Sequence, residues 1–441
     1  MRSYQGEASP RSRFARDKKK MYQEHTLSNG LKILMVPLHH FESVSIGIFI
    51  RVGSRYETEN IAGISHFIEH MLFKGTHKRP TARLMAEAIE GIGGVSDAYT
   101  SQETTVYYAK VAALQVNIAL DYLADLVRNP LFMANDIQKE QLIIGEEISM
   151  VYDTPDSWLE VLLDQVIWPD HPLGYNVAGT HQSLARINHD RLIAFFKASY
   201  HPNNVLIAIG GSFNPEDITA EIARLLGDWP PASIPNFAPA PPPQSEARYH
   251  IEHRTIEQGH LALALPGLPR THPGRYALSI LNTILGDGMS SRLFLTIRED
   301  KGLAYAIDSG LNFLQDTGTW SVYAGVDPER APEALQAILD ELSRLREEPI
   351  PPQEVDKAKA YLKGRLVLGL EDSYSQAAWV AYQQLFMNAV VSPKEVLAIY
   401  DSVTAGEIQQ VAEQLINPGA YNLAIIGPFG QAEPLARLIT G

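Results

Sequence analysis

Between Asp228 and Glu246 the chain reads DWPPASIPNFAPAPPPQSE, a stretch so dense in proline that no regular helix or central strand can run through it. It reads as a stiff linker lying close to the middle of a 441-residue sequence. A chain of that length is in any case too long for a single hydrophobic core. On each side of the linker the same order of patterns recurs: strand-like alternation, then long helical stretches, then a buried strand closing on glycine. The closing strands are NNVLIAIGG (203–211) and AYNLAIIG (420–427). A second pair of segments, EQLIIGEEISMVYDTPDSW (140–158) and KAYLKGRLVLGLEDSYSQAAW (359–379), occupies corresponding positions. The halves therefore read as a duplication, and strands alternating with helix pairs predict an α+β architecture of two similar halves, each with helices packed on a mainly antiparallel sheet. The expected divisions are a disordered basic tail over 1–22, a first half over 23–228, the linker over 229–246 and a second half over 247–441.

Composition narrows what such halves can do. With 45% hydrophobic and 20% charged residues this is an ordinary globular chain, and it contains no cysteine. Disulfides, thiolate metal sites and cysteine nucleophiles are thereby excluded, so any zinc must be held by histidine and carboxylate. A formal net charge of −14 argues against nucleic-acid binding and favours basic or extended peptides as partners. The longest apolar runs, such as SVSIGIFIRV and VLIAIGG, have strand length and fall well short of the roughly 18 residues of a membrane helix. The first twenty residues are basic but lack the apolar core of a secretory signal, and Met21 is a candidate initiator. Together these features predict a cytoplasmic protein, with the mitochondrial matrix as the alternative.

The chemistry concentrates in HFIEH, His66 to His70. Ile64, Phe67, Ile68, Met71 and Leu72 form a helix stripe, with His66, Glu69 and His70 on the opposite side. Asn60 or Ser65 is the expected start cap, and Gly75 the expected C-terminal glycine. Imidazoles at i and i+4 stand one above the other, so both reach one ion while Glu69 projects beside them without having to coordinate. An isolated H-x-x-E-H is as readily a solvated polar face, and the remaining ligands must decide. A second helix is predicted from Asp136 to Tyr152, with Ile137, Ile144, Ile148 and Val151 as its buried stripe. Glu140 and Glu147, seven apart, flank that stripe in one direction, whereas Glu146 points about 100° away. A carboxylate beside a buried stripe wants a partner. Glu147 is thus the candidate third ligand and Glu140 the candidate carboxylate orienting a histidine. Without HFIEH the same spacing would read as a plain charged edge.

At this point HFIEHMLFKGT (66–76), the glutamate pair at 146–147, GGVSDAYTSQETTVYYAKV (93–111) and SSRLFLTIREDKGLAYAI (290–307) resemble the inverted-motif zinc peptidases of the M16 family, from about residue 25 to 435. That family includes pitrilysin, insulin-degrading enzyme and mitochondrial processing peptidase. The resemblance implies a LuxS/MPP-like fold of two halves in a clam-shell arrangement, and one zinc held by His66, His70 and Glu147. It implies Glu69 as general base on a zinc-activated water, with Glu140 in support. It also implies Arg298 and Tyr305 reaching the substrate backbone from the second half, and peptide added as a strand beside Asp97, Ala98, Tyr99 and Thr100. On the sequence alone Arg298 is a solvated helix charge and Tyr305 a strand aromatic. Asp97 stands where the family strand carries asparagine, which bears on substrate preference and not on the metal. The two-half length resembles the short branch, which implies a homodimer without a helper subunit. Aligning the halves sets Leu278, Leu281 and Asn282 against His66, Glu69 and His70, and Arg365 against Glu147, so the second copy is expected to hold no metal. The reading is a zinc metalloendopeptidase. The alternatives are a non-catalytic scaffold or partner subunit of the same family, and a presequence-processing subunit. GDGMSSR (286–292) lacks the third glycine of a dinucleotide fingerprint and is read as a turn.

Overall fold

The computed structural model describes residues 21–430 and 433–440. Of the tail expected over 1–22, residues 1–20 lie outside the described residues. Tyr22, assigned to that tail from sequence, is instead buried in one core with Leu34, Val36 and Phe49.

The first half is built on a six-stranded sheet of β1 (Gln23–Thr26), β2 (Lys32–Pro37), β3 (Ser43–Ile50), β4 (Val95–Thr100), β5 (Thr105–Ala112) and β6 (Val205–Gly211). Its order is β1-β2-β6-β3-β5-β4, antiparallel except between β2 and β6. The second half has β7 (Arg248–His253), β8 (Gly259–Pro266), β9 (Ala304–Phe313), β10 (Gly318–Val326) and β11 (Asn422–Gly427) in the order β7-β11-β8-β10-β9, with only β7 and β11 parallel. With β1 set aside, the two orders correspond strand for strand. Strands β6 and β11 are the closing strands of the sequence, buried along their whole length on both faces, which is why they read as unbroken apolar runs rather than alternating ones. Strands β4 and β9 form equivalent outer edges.

One face of the first sheet carries α1 (Ile64–Leu72), α2 (Ala82–Glu90), α3 (Val116–Arg128) and α4 (Ala134–Asp153). The predicted α1 stripe of Ile64, Phe67, Ile68, Met71 and Leu72 is buried in one core with Ile46, Ile48 and Tyr107. Each such side chain contributes about 1.5–3 kcal/mol on leaving water. Helix α4 stops at Thr154, in extended conformation, and Pro155 opens α5 (Pro155–Ile167) at its first turn, where a missing N–H costs nothing.

The other faces of the sheets are covered by exchange. Helix α5 belongs to the first half in sequence but buries Leu159, Leu162 and Leu163 against Ala262 and Ala264 of β8 and Ala424 and Ile426 of β11. In return the helix Ser373–Met387 sets Ala377, Val380, Ala381 and Leu385 on Leu34, Val36, Phe49, Leu206 and Ala208 of the first sheet. The approach is close: a Cβ on Gly210 would lie 2.2 Å from the Ser373 carbonyl oxygen, and the hydroxyls of Ser45 and Ser373 are 2.8 Å apart. Each sheet is therefore completed by the opposite half.

No helix or strand forms between the helix Pro215–Leu226 and β7. Within that proline-rich stretch Phe237 lies under the buried Arg55 guanidinium at 4.0 Å, and the Ala238 carbonyl accepts from Arg55 at 3.1 Å. Arg55 also reaches Glu103 at 2.8 Å and Asp316 of the second half at 2.6 Å. One cation thus fixes the register of both halves and the linker, a role for which buried charge pairs suit better than for net stability. Among the described residues no helix is long and apolar enough to cross a membrane.

Candidate metal centre

The start of α1 departs from the expected capping. Neither Asn60 nor Ser65 caps it; the N-cap is Gly63, at φ 92, and it offers no side chain. Only glycine fits there, because a Cβ would lie 2.5 Å from the Ala178 carbonyl oxygen as well as adopt the left-handed region. The free N–H groups are taken by Glu57, whose two carboxylate oxygens each accept a 2.7 Å bond, from Gly63 and from Ser65. Glu57 is buried, and burial pushes its carboxyl up to about 7 despite these bonds. Sequence reasoning missed this residue; the available signal was an acidic side chain just upstream of an uncapped helix. Gly75 lies beyond the last turn at φ 148, with the Pro80 backbone 2.8 Å from where its Cβ would be.

Helices α1 and α4 pack side by side, and their polar edges meet. Glu147 Oε2 lies 3.5 Å from His70 Nε2 and 3.9 Å from His66 Nε2, and the rings of His66 and His70 are 4.6 Å apart between centroids. One donor atom from each of the three residues lies within 4.8 Å of the other two. Bonds of 2.0–2.2 Å to a tetrahedral zinc place neighbouring ligand atoms about 3.4 Å apart, and the two separations from Glu147, 3.5 and 3.9 Å, lie close to that value. Glu146 points to solvent, as its spacing requires.

The two imidazoles differ in their electrostatics. Burial, with His70 nearby, pulls His66 down to about 4, leaving a lone pair free near neutrality. His66 Nδ1 is buried with no hydrogen-bond partner among the described residues. For His70 burial also disfavours charge, but the bond to Glu140 and the nearby Glu147 and Glu69 outweigh it and raise the ring. Glu140 Oε2 is 3.0 Å from His70 Nδ1, and Lys74 Nζ is 2.7 Å from its other oxygen. Burial alone would raise Glu140; those two partners bring it below its ordinary value. A carboxylate fixed in this way keeps the His70 proton on Nδ1 and leaves Nε2 as the donor atom. The contribution of Lys74, one turn after His70, was not foreseen.

Glu69 lies beside this set without joining it. Burial raises its carboxyl; Thr100 and His70 oppose the shift, while Asp97 and Glu147 reinforce it. Its hydrogen bond is to the Thr100 hydroxyl. The four residues expected to line a peptide do not act alike. Ala98 packs against the first-half core and Thr100 faces the same helical layer, whereas the Tyr99 hydroxyl turns to the other face and meets Tyr374 at 3.0 Å and Tyr382 at 2.7 Å. Asp97 is close enough to affect Glu69 and accepts from its own neighbour, the Ala98 N–H, at 2.8 Å. Arg298 and Tyr305 are not drawn to the metal ligands. Arg298 lies over Phe294 at 4.7 Å with Glu299 at 3.9 Å, and Tyr305 on β9 is 71% exposed.

Residues 32–181 match the profile described as insulinase (peptidase family M16), and residues 186–362 match the profile described as the peptidase M16 inactive domain. The chain is 35% identical to an uncharacterized zinc protease, YmxG, of Bacillus subtilis, over 93% of this chain and 99% of that protein. It is 34% identical to an uncharacterized zinc protease of Mycobacterium leprae, over 93% of each. Among solved structures it is similar to a protease from Helicobacter pylori, with a TM-score of 0.87 and 23% identity over 92% of this chain and 99% of that one. It also resembles a chain of complex III from Candida albicans, with a TM-score of 0.82 and 19% identity over 95% and 98%.

Proposed function

The chain belongs to the M16 peptidase family, in its short, two-half bacterial form, and on that premise we propose that it is a zinc-dependent endopeptidase acting on extended peptide segments. One observation carries the reading: two imidazole nitrogens and a carboxylate oxygen converge from α1 and α4, next to a further carboxylate that coordination does not need. Zinc in such a site polarises a carbonyl and lowers the pKa of water from 15.7 to about 7. The protein groups have the matching tasks. His66 presents a neutral nitrogen, and His70 would offer Nε2 once the proton there is displaced, with Glu140 holding the other proton on Nδ1. Glu69, with its carboxyl raised by burial, takes a proton from the attacking water and delivers it to the leaving amine. The free edge of β4 offers main-chain groups to an incoming strand, with side-chain pockets setting preference. Arg298 and Tyr305 meet the peptide backbone from the β9 side when substrate lies between the halves. The working unit is read as a cytoplasmic homodimer whose residues 23–228 hold the ion and 247–441 contact substrate.

Purified protein is expected to carry about one zinc per chain and to cleave unstructured peptides; Glu69→Gln should keep the metal and slow cleavage by about 10²–10⁴-fold. A Glu69→Gln protein that retains zinc and cleaves as fast as wild type overturns the mechanism. A scaffold role is favoured by one observation, the fold similarity to a complex III chain, and weighs less because the ligand set is complete. A processing subunit would yield a single cut in basic presequences and require a partner chain. Mass spectrometry of products from a mixed peptide pool distinguishes it from a general peptidase.

A further inference from the structure

Tyr99 and Thr100 are neighbours on β4 and turn to opposite faces of the sheet. On the helical face the Thr100 hydroxyl donates to Glu69 Oε2, the only hydrogen bond made to that carboxylate among the described residues. On the other face the Tyr99 hydroxyl meets those of Tyr374 and Tyr382, on the helix that the second half lends to this sheet. Strand β4 is an edge strand, held by β5 alone, with Thr100 opposite Thr105 and Tyr99 opposite Val106. Ser96 adds a 3.0 Å contact to the Tyr122 hydroxyl on the helical face.

A flexible carboxylate next in sequence to a ligand can swing into the coordination set, where it would fill the position a reacting water needs. The residue that anchors it on the strand side therefore decides whether it serves as base or as ligand. We propose that Thr100 is the positioning residue of Glu69: its hydroxyl holds one carboxylate oxygen on β4, away from the donor atoms of His66, His70 and Glu147. The inference rests on the peptidase reading of the site. It also gives β4 a second task. The strand that presents its edge to peptide carries the anchor of the base, and Tyr99 ties that strand to the exchanged helix.

Thr100→Val removes the donor at constant shape, and Thr100→Ser retains it. Thr100 is half-buried, and Thr100→Ala repeats the test should valine disturb folding, as judged by circular dichroism melts. In Thr100→Val, kcat is expected to fall by about 10–100-fold with KM little changed, and Thr100→Ser to restore most of it. The second readout does not depend on turnover. In cobalt-substituted protein the visible absorption of Thr100→Val should weaken as Glu69 joins the ion, and adding Glu69→Gln should restore the wild-type spectrum. A spectral change in a protein whose wild type cleaves no peptide supports the positioning role and removes the peptidase reading. A wild type that cleaves peptides, with Thr100→Val matching it in both kcat and cobalt spectrum, overturns the positioning role alone.

Discussion

Helix α1 and the helix Arg275–Leu285 hold equivalent positions over two sheets of matching strand order, yet they meet their surroundings in opposite ways. Helix α1 buries one stripe and turns His66 and His70 toward α4 and Glu69 toward β4, all three partly exposed. Its counterpart is buried almost all round, including Leu278, Leu281 and Asn282, the residues aligned with the metal motif. Asn282 nevertheless keeps a polar pattern in place of chelation: its Oδ1 accepts from Ser309 at 2.7 Å and from Trp320 at 2.9 Å, and its Nδ2 donates to the Ser309 carbonyl at 3.3 Å. Arg365, aligned with Glu147, is exposed. The difference teaches that one packing frame serves two ends. A closed helix with satisfied polar groups gives a stable half, whereas open imidazoles and carboxylates give a site that a stable half does not need.

The largest asymmetry should come from the ligands. His66→Ala is expected to abolish metal retention and cleavage with a small change in melting temperature. Leu278→Ala, at the matching position, should leave zinc content intact and cost about 2–5 kcal/mol in chemical denaturation. Equal stability losses from the two would contradict the division of labour.

The exchanged helices should, by contrast, behave symmetrically. Leu162→Ala in α5 and Leu385→Ala in Ser373–Met387 each open a cavity over the opposite half's sheet, and each is expected to cost about 2–4 kcal/mol. Because the sheets share these helices, hydrogen exchange should rise in both halves for either variant; a change confined to one half would show that the halves unfold independently.

A smaller contrast lies in the polar partners. Glu140→Gln should weaken zinc binding by about 10–100-fold in a competition titration, while Asn282→Ala should leave affinity unchanged and cost about 1–3 kcal/mol of stability from unpaired buried groups.

The finest effect is one of pH. Without metal, His70 titrates above its ordinary value because Glu140 and its neighbours favour the charged ring, and His66 is lowered to about 4. Zinc must displace the His70 proton, so affinity should fall about tenfold per pH unit below the His70 pKa, with one proton released per ion. His66 should contribute no second proton until pH approaches 4. Glu140→Gln lowers the His70 pKa and should move the onset to lower pH; a two-proton slope near neutrality would contradict the His66 assignment.

Much of this was legible in the chain. The proline stretch separated the halves, the two closing glycine strands announced the repeat, and the i, i+4 spacing of His66 and His70 put two rings on one helix edge. The seven-residue spacing from Glu140 to Glu147 set both on the flank that faces α1, and excluded Glu146. These are consequences of period, and period survives in a sequence without its partners. Other features needed the folded chain. The apolar stripes of α5 and Ser373–Met387 record that each helix covers something, but an amphipathic pattern does not state which sheet, and both cover the far one. Nor does a threonine on a predicted strand disclose that its hydroxyl will meet Glu69, 31 residues away in sequence. Glu57 taking the free N–H groups of α1, and Arg55 joining both halves to the linker, belong to the same class. Local repetition is written residue by residue, whereas which donor meets which acceptor depends on distances that exist only once both sheets have formed.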